Sequence, residues 1–180
     1  MKRKHTQDFV NDYLLKHVSK DDVMVDATMG NGFDTVFLSK ISKHVYAFDI
    51  QDKALISTRK KIKDEGIQNV TLIQDSFMNI KDHLKTYKGV VFNLGYLPGS
   101  DKTITTTKDI TIKTLEMLTS NMREDTFIIL TCYPGHDEGL IESKAVLEFV
   151  SILDETFSVI KFMLLNKKNK PPFVVVIEKH

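Results

Sequence analysis

The sequence predicts an α/β fold: a seven-stranded, mostly parallel, Rossmann-like sheet with helices on both faces and a C-terminal antiparallel hairpin. Three observations favour this class. Short apolar runs alternate with amphipathic segments along most of the chain. Each of the first three runs ends in an acid. The last two runs are joined by a short polar loop rich in lysine and proline, which is typical of a hairpin.

The periodicity assigns each element in order. Phe9, Val10, Tyr13 and Leu14 have helical spacing, and Gly66 follows a segment that it would terminate. We predict helices over residues 6–18, about 33–42, 52–64, about 77–86, about 108–121 and about 140–153. We predict strands over 23–26, 44–50, 69–74, 88–95, 126–131, 157–165 and 173–178.

Composition narrows the class of protein. With 180 residues we expect a single domain spanning 1–180. The net charge of +1 argues against broad coating of nucleic acid but allows a local basic patch. The lone Cys132 excludes an internal disulfide and suits a reducing cytoplasm, where we expect the protein to act. We expect neither a membrane span nor a metal, because no long apolar run and no metal-spaced Cys/His cluster occurs.

The stretch 23–34 predicts a nucleotide-like ligand at a strand–turn–helix junction, although a tight turn that binds nothing is the alternative. Gly30 and Gly32 let a ligand approach the main chain. Thr35 replaces the third glycine of a dinucleotide motif, which argues against an oxidoreductase. Asp26 would repel a pyrophosphate but suits the sulfonium and ammonium of S-adenosylmethionine. The spacing resembles the first motif of class I methyltransferases, with Thr28 in place of its first glycine.

Two further acids follow the next strands. Asp49 is placed to accept the ribose hydroxyls of a nucleoside, or else to cap the next helix. Asp75, followed by Ser76, is placed to meet the adenine amino group as in methyltransferases, or is likewise a cap. Because parallel strands end at one edge of a sheet, all three acids are expected there.

The fourth strand runs into Asn93-Leu94-Gly95-Tyr96-Leu97-Pro98-Gly99, at the place where class I methyltransferases bind the methyl acceptor. Amine-directed members often carry Asn-Pro-Pro-Tyr there. Asn93 and Tyr96 keep the outer positions of that motif, so we predict that they orient an amine and pack on its base. A simple turn is the alternative. In the Thr-rich loop that follows, Asp101 or Lys102 could reach a substrate, and the alternative is that the loop's hydroxyls cap the next helix.

The fifth strand ends at a polar loop that contains Tyr133 and His136. His136 could take a proton from an amine or hold a base edge, and capping a helix is the alternative. Cys132 is interpreted as strand packing rather than a nucleophile. In the final hairpin Lys161 and the loop residues Lys168, Asn169 and Lys170 are candidates for RNA-phosphate contacts, with a solvated loop as the alternative.

Four motifs together resemble a family of small bacterial proteins labelled rRNA methylases, which includes the tRNA 5-(aminomethyl)-2-thiouridine methyltransferase. They are Asp26–Thr35, Asn93–Gly99, Tyr133–Gly139 and Asn169–Phe173. The resemblance implies S-adenosylmethionine as donor, a homodimer, and the anticodon stem-loop of tRNA as partner. The implied reaction is methylation of the wobble-uridine aminomethyl nitrogen. An rRNA or small-molecule acceptor and a non-catalytic binding module stay open.

The resemblance and the strand ends together define the candidate site residues. Catalytic candidates are Asn93, Tyr96 and His136. Cofactor candidates are Asp26, Thr28, Gly30, Asn31, Gly32, Asp34, Thr35, Asp49, Gln51, Asp75, Ser76 and Asn93. Substrate or RNA candidates are Tyr96, Asp101, Lys102, Tyr133, His136, Lys168, Asn169 and Lys170.

Overall fold

Strands and helices alternate through most of the chain, as the periodicity predicts. The structure, a computed structural model, describes residues 6–95 and 106–180. The strands are β1 (Val23–Asp26), β2 (His44–Asp49), β3 (Val70–Gln74), β4 (Gly89–Asn93), β5 (Phe127–Cys132), β6 (Phe157–Met163) and β7 (Phe173–Lys179). The helices are α1 (Thr6–His17), α2 (Phe33–Ile41), α3 (Asp52–Asp64), α4 (Ile80–His83), α5 (Lys108–Thr119) and α6 (Asp137–Ser151), with a 3₁₀ turn (Phe77–Asn79) before α4.

The strands form a seven-stranded sheet in the order β3-β2-β1-β4-β5-β7-β6. β1 pairs in parallel with β2 and β4, and β2 pairs in parallel with β3. β7 runs antiparallel to both β5 and β6. The predicted fold class, with its closing antiparallel hairpin, is therefore confirmed.

The described residues form two compact units. The first, residues 18–92, contains β1 to β3 and most of β4. Its core includes the fully buried side chains of Met24, Leu38, Phe48, Ile80 and Phe92. Asp26 lies opposite Ala47, and Asp49 lies opposite Gln74, so Asp26, Asp49 and Asp75 follow one edge of the parallel strands.

The second unit comprises residues 6–17, 93–95 and 106–180. β5 and β7 supply its most buried strands, and α1 packs on β6 and β7. Phe9 stacks on Phe162 with ring centroids 4.3 Å apart, and the Tyr13 hydroxyl donates to Glu178 at 2.6 Å. Burial, with the Glu178 bond and charge, raises the pKa of Tyr13, so the phenol stays a donor.

Two helices differ from prediction. α6 begins at Asp137 rather than near residue 140, because the His136 side chain caps it. The segment predicted as one helix over 77–86 is a 3₁₀ turn followed by α4, which ends at His83. The Ser76 hydroxyl accepts from Met78 N at the start of this segment, and the buried Leu84 is already extended.

Among residues 6–95 and 106–180, no helix has both the length and the apolar character required to cross a membrane.

Candidate active site

The turn between β1 and α2 is folded by glycines in the left-handed region. Gly30 has φ 50° and Gly32 has φ 78°. Gly32 N donates to Met29 O at 2.7 Å, and Met29 N donates to Phe48 O at 2.9 Å, which ties the turn to β2. A Cβ on Gly32 would lie 2.8 Å from Thr58 Oγ1, because α3 packs directly against this turn. Both backbone angle and space therefore require glycine at position 32.

Asp26 is a buried acid with only 1% of its surface exposed. Its carboxylate accepts from Thr28 N at 3.2 Å and from Thr35 Oγ1 at 2.5 Å. Burial, then the charges of Asp34 and Asp49, raise its pKa to about 7, against the two hydrogen bonds. A bound cation would favour the ionised carboxylate, so this corner of the molecule suits a positively charged ligand.

Asp49 holds the glycine turn from the end of β2. It accepts from Gly30 N at 3.1 Å and from Gln51 N at 3.0 Å. Burial raises its pKa, against these backbone hydrogen bonds. The next residue, Ile50, is 59% exposed. An exposed apolar side chain beside this carboxylate suits the face of an aromatic ring; the prediction from sequence overlooked it, although it directly follows a candidate acid.

Ser76 rather than Asp75 caps the 3₁₀ turn that follows β3, and Asp75 makes other local contacts. It accepts from Ser76 N at 2.7 Å and from Asn79 Nδ2 at 2.8 Å. His83 Nε2 lies 2.8 Å from its other oxygen, and this bond is the main cause of its lowered pKa. Among the other candidates in this unit, Asn31 Oδ1 accepts from the Ser57 hydroxyl at 3.3 Å, and Asp34 lies in the first turn of α2.

The second unit brings two predicted acceptor-side residues together. The Tyr133 hydroxyl donates to Asn93 Oδ1 at 3.1 Å. Leu94, the buried residue that follows Asn93, donates its N–H to Thr131 O at 3.0 Å. An amide oxygen has two lone pairs, so Asn93 can accept from Tyr133 and from a second donor.

His136 serves as the N-cap of α6. Its Nδ1 accepts from Gly139 N at 3.0 Å, so the neutral ring carries its proton on Nε2. A Cβ on Gly139 would lie 2.7 Å from His136 Nε2, which explains why glycine stands there. Proton uptake at Nδ1 would break this cap, so the observed geometry favours His136 as a donor over His136 as a base.

A polar network behind this loop was not predicted. Glu142 on α6 accepts from the hydroxyls of Thr106 and Thr111, and Thr106 accepts in turn from Gly95 N. Glu142 looks like a solvated helix residue in the sequence. Its only signal there is its position one helical turn after Glu138, on a helix that starts at the predicted site.

The remaining candidates are placed as follows. Lys168, Asn169 and Lys170 are exposed in the turn between β6 and β7, and Asn169 and Lys170 have positive φ. Because Cys132 pairs with Phe173, this turn lies at the same end of its unit as Tyr133. Tyr96, Asp101 and Lys102 lie outside the described residues.

Cys132 is fully buried, and burial raises the pKa of its thiol to about 12, in agreement with a packing role. Within the described residues, no group of three or more His, Cys, Asp or Glu side chains is arranged to hold a metal ion.

Comparison with known proteins identifies the family. Residues 45–178 match the family model described as "Putative rRNA methylase". The chain belongs to this family. A solved rRNA-methylase family structure from Clostridium thermocellum is 37% identical, with a TM-score of 0.94 and full coverage of both chains. A methyltransferase from Streptococcus mutans, solved in complex with SAH, is 38% identical, with a TM-score of 0.91 over 99% of this chain and 100% of that chain.

The chain is also similar to the chloroplastic tRNA (mnm(5)s(2)U34)-methyltransferase of Arabidopsis thaliana. It is 32% identical over 178 residues, covering 90% of this chain. The chain spans 65% of that relative's length. The chain therefore has the class I methyltransferase fold of this family, and the SAH complex of the Streptococcus mutans protein indicates S-adenosylmethionine as the cofactor to test against the site.

The residues present fit this cofactor. The donor set is a buried acid, a second acid at the next strand end, and a glycine turn with two left-handed residues. Burial, and then the charges of Asp34 and Asp49, raise the pKa of Asp26, and the positive charges of the cofactor's amino-acid end would offset that rise. The two acids and the glycine turn were predicted from the sequence, whereas the exposed Ile50 beside them was not.

Proposed function

We propose that this protein methylates the aminomethyl nitrogen of 5-aminomethyl-2-thiouridine at tRNA position 34, giving 5-methylaminomethyl-2-thiouridine. One observation carries the proposal: Tyr133 holds the amide oxygen of Asn93 at the end of β4. Val91 of β4 pairs with Asp26 of β1, and Asn93 is the last residue of β4, two positions after Val91. The name of the Arabidopsis relative supports this choice of acceptor.

Residues of the first unit would hold the cofactor. Asp26 would face its cationic amino-acid portion, Asp49 its ribose hydroxyls, and Ile50 its adenine ring, with Asp75 and Ser76 near the adenine amino group. When bound, the cofactor supplies an activated methyl group to a nucleophilic nitrogen, and S-adenosylhomocysteine (SAH) and one proton are the other products.

Asn93 would bind the neutral form of the acceptor amine and orient its lone pair. An alkylamine titrates near pH 10, like a lysine, and is mostly protonated at neutral pH. Asn93 Oδ1 can accept a hydrogen bond from the neutral amine while Tyr133 fixes the amide, and this bond orients the nitrogen lone pair. Solvent takes the released proton, since His136 Nδ1 is engaged in the cap.

The hairpin turn would contact RNA phosphate. Lys168, Asn169 and Lys170 are exposed and lie at the same end of the second unit as Tyr133, and the two lysines supply positive charge for phosphate. Tyr96, Asp101 and Lys102 remain candidates from the sequence for base and substrate contacts. The homodimer implied by the resemblance remains a proposal that sedimentation would test.

A methyl-transfer assay tests the proposal. Purified protein and labelled S-adenosylmethionine are offered an anticodon stem-loop with aminomethyl-2-thiouridine, the same stem-loop with plain uridine, and small-subunit rRNA. We expect label only in the first, and a loss of about 100-fold in turnover with unchanged SAH affinity for Asn93→Ala. Label in rRNA alone would favour the second candidate, an rRNA methyltransferase, which the family description favours.

A further inference from the structure

Glu142 is a buried acid that the proposed chemistry does not use. Only 3% of its surface is exposed. Each carboxylate oxygen accepts a threonine hydroxyl: Oε2 from Thr106 at 2.9 Å and Oε1 from Thr111 at 2.6 Å. Burial raises its pKa, while the hydrogen bonds from the Thr111 and Thr106 hydroxyls oppose that rise. Buried acids are rare unless they are paired or satisfied in this way.

Thr106 carries the interaction on to the main chain. Gly95 N donates to Thr106 Oγ1 at 2.8 Å, and Thr106 N donates to Gly95 O at 3.1 Å. A hydroxyl has one proton, and Thr106 gives it to Glu142. Its lone pairs are therefore left to face Gly95 N–H. The hydrogen bonds thus run in one direction, from Gly95 N–H to Thr106 and from Thr106 to Glu142, and we call this chain the relay. The carboxylate at position 142 sets that direction because it can only accept.

Three contacts then define the short segment that carries Asn93. Tyr133 binds the Asn93 side chain, Thr131 O accepts from Leu94 N, and Thr106 holds Gly95 through two hydrogen bonds. Gly95 has φ 137°, which non-glycine residues rarely adopt. A backbone held on both sides keeps a neighbouring side chain within the narrow range that a positioned reaction needs.

We propose that Glu142 is a positioning residue for methyl transfer: through Thr106 it holds the Gly95 backbone and so aims the Asn93 amide at the acceptor amine. This inference rests on the proposed role of Asn93. Glu142 itself touches neither cofactor nor substrate in this account. Its effect is on the rate of the bound complex rather than on cofactor affinity.

Matched variants test the relay. Thr106→Val removes the hydroxyl at nearly constant volume, Thr106→Ser keeps it, and Glu142→Gln replaces an acceptor by an amide. Thr114→Val is the control, since Thr114 is a buried threonine of α5 whose hydroxyl donates to Ile110 O and takes no part in these contacts. The measurements are kcat and KM on the modified stem-loop, SAH affinity by calorimetry, and hydrogen exchange at the Gly95 amide by NMR.

We expect Thr106→Val and Glu142→Gln to lower kcat by roughly 10- to 100-fold with SAH affinity within about twofold. Gly95 amide exchange should accelerate at least tenfold in both variants. Thr106→Ser should restore both readouts, and Thr114→Val should change neither. If Glu142→Gln does not fold, the Thr106 pair decides the question.

The outcomes separate this inference from the proposed function. If Asn93→Ala loses turnover while Thr106→Val keeps wild-type kcat, the relay is refuted and the function stands. Unchanged Gly95 exchange in Thr106→Val also overturns the relay, whatever the substrate. If wild-type protein does not methylate the stem-loop, the proposed function fails, and a positioning role in that reaction fails with it, even where Gly95 exchange responds as expected.

Discussion

The Asp26→Asn variant separates two effects of the buried carboxylate: its effect on folding stability and its effect on cofactor affinity. The folded protein has an Asp26 pKa of about 7, against an ordinary value of 3.8. A one-unit change in pKa corresponds to about 1.4 kcal/mol. Above pH 7, where Asp26 is ionised in both states, its burial therefore lowers the free energy of unfolding by up to about 4 kcal/mol. Between pH 3.8 and 7 the folded state binds a proton that the unfolded state has released. Stability of the ligand-free protein therefore falls as pH rises through that window.

Asparagine removes this pH dependence and keeps polar partners for Thr28 N and the Thr35 hydroxyl. We expect ligand-free Asp26→Asn to be more stable than wild type at pH 8, by up to about 4 kcal/mol, with the advantage shrinking toward pH 4. Urea unfolding at both pH values measures this. Asp64→Asn, which removes an exposed acid paired with Lys60, is the control and should change stability by less than about 1 kcal/mol.

Cofactor affinity should show the opposite pH dependence to stability and should increase as pH rises. The ionised Asp26 carboxylate attracts the ammonium group that SAH carries, so wild-type affinity for SAH should weaken as pH falls below about 7. Asp26→Asn should bind SAH at least about tenfold more weakly at pH 8, with little pH dependence. Equal destabilisation of the variant at both pH values, together with wild-type SAH affinity, would refute the assignment of Asp26 as the cofactor acid.

Three further changes probe other parts of the site. Gly32→Ala meets Thr58 at a strained φ and should lower unfolding free energy by about 1–3 kcal/mol in denaturant titrations; a neutral result would contradict the close α3 contact. Ile50→Ala should weaken SAH binding by about 3- to 10-fold in calorimetry, through lost apolar contact, and unchanged affinity would remove Ile50 from the adenine site. Tyr133→Phe removes the hydrogen bond to Asn93 Oδ1 and should lower kcat by about tenfold at constant SAH affinity; full kcat would show that this bond does not support Asn93 in the reaction.

The cofactor half of the site was predictable because parallel strands impose it. An acid that ends one parallel strand shares an edge with acids that end its neighbours, so Asp26, Asp49 and Asp75 could be grouped from strand ends alone. The glycine turn was equally readable, since Gly30 and Gly32 take backbone angles that other residues avoid.

The relay behind Asn93 was not predictable from local patterns. Thr106 and Glu142 are 36 residues apart, and nothing in helical spacing marks Glu142 as buried rather than solvated. His136 shows the same limit: the sequence placed it at the right loop, but only the bond to Gly139 N distinguishes a helix cap from a base. Side-chain roles that depend on tertiary contacts cannot be read from periodicity.

The most direct test of the central claim is nucleoside mass spectrometry of total tRNA from a strain that lacks this protein. We predict loss of 5-methylaminomethyl-2-thiouridine and accumulation of its aminomethyl precursor, restored by wild-type protein but not by Asp26→Ala. An unchanged tRNA nucleoside profile in the deletion strain would contradict the proposed tRNA reaction.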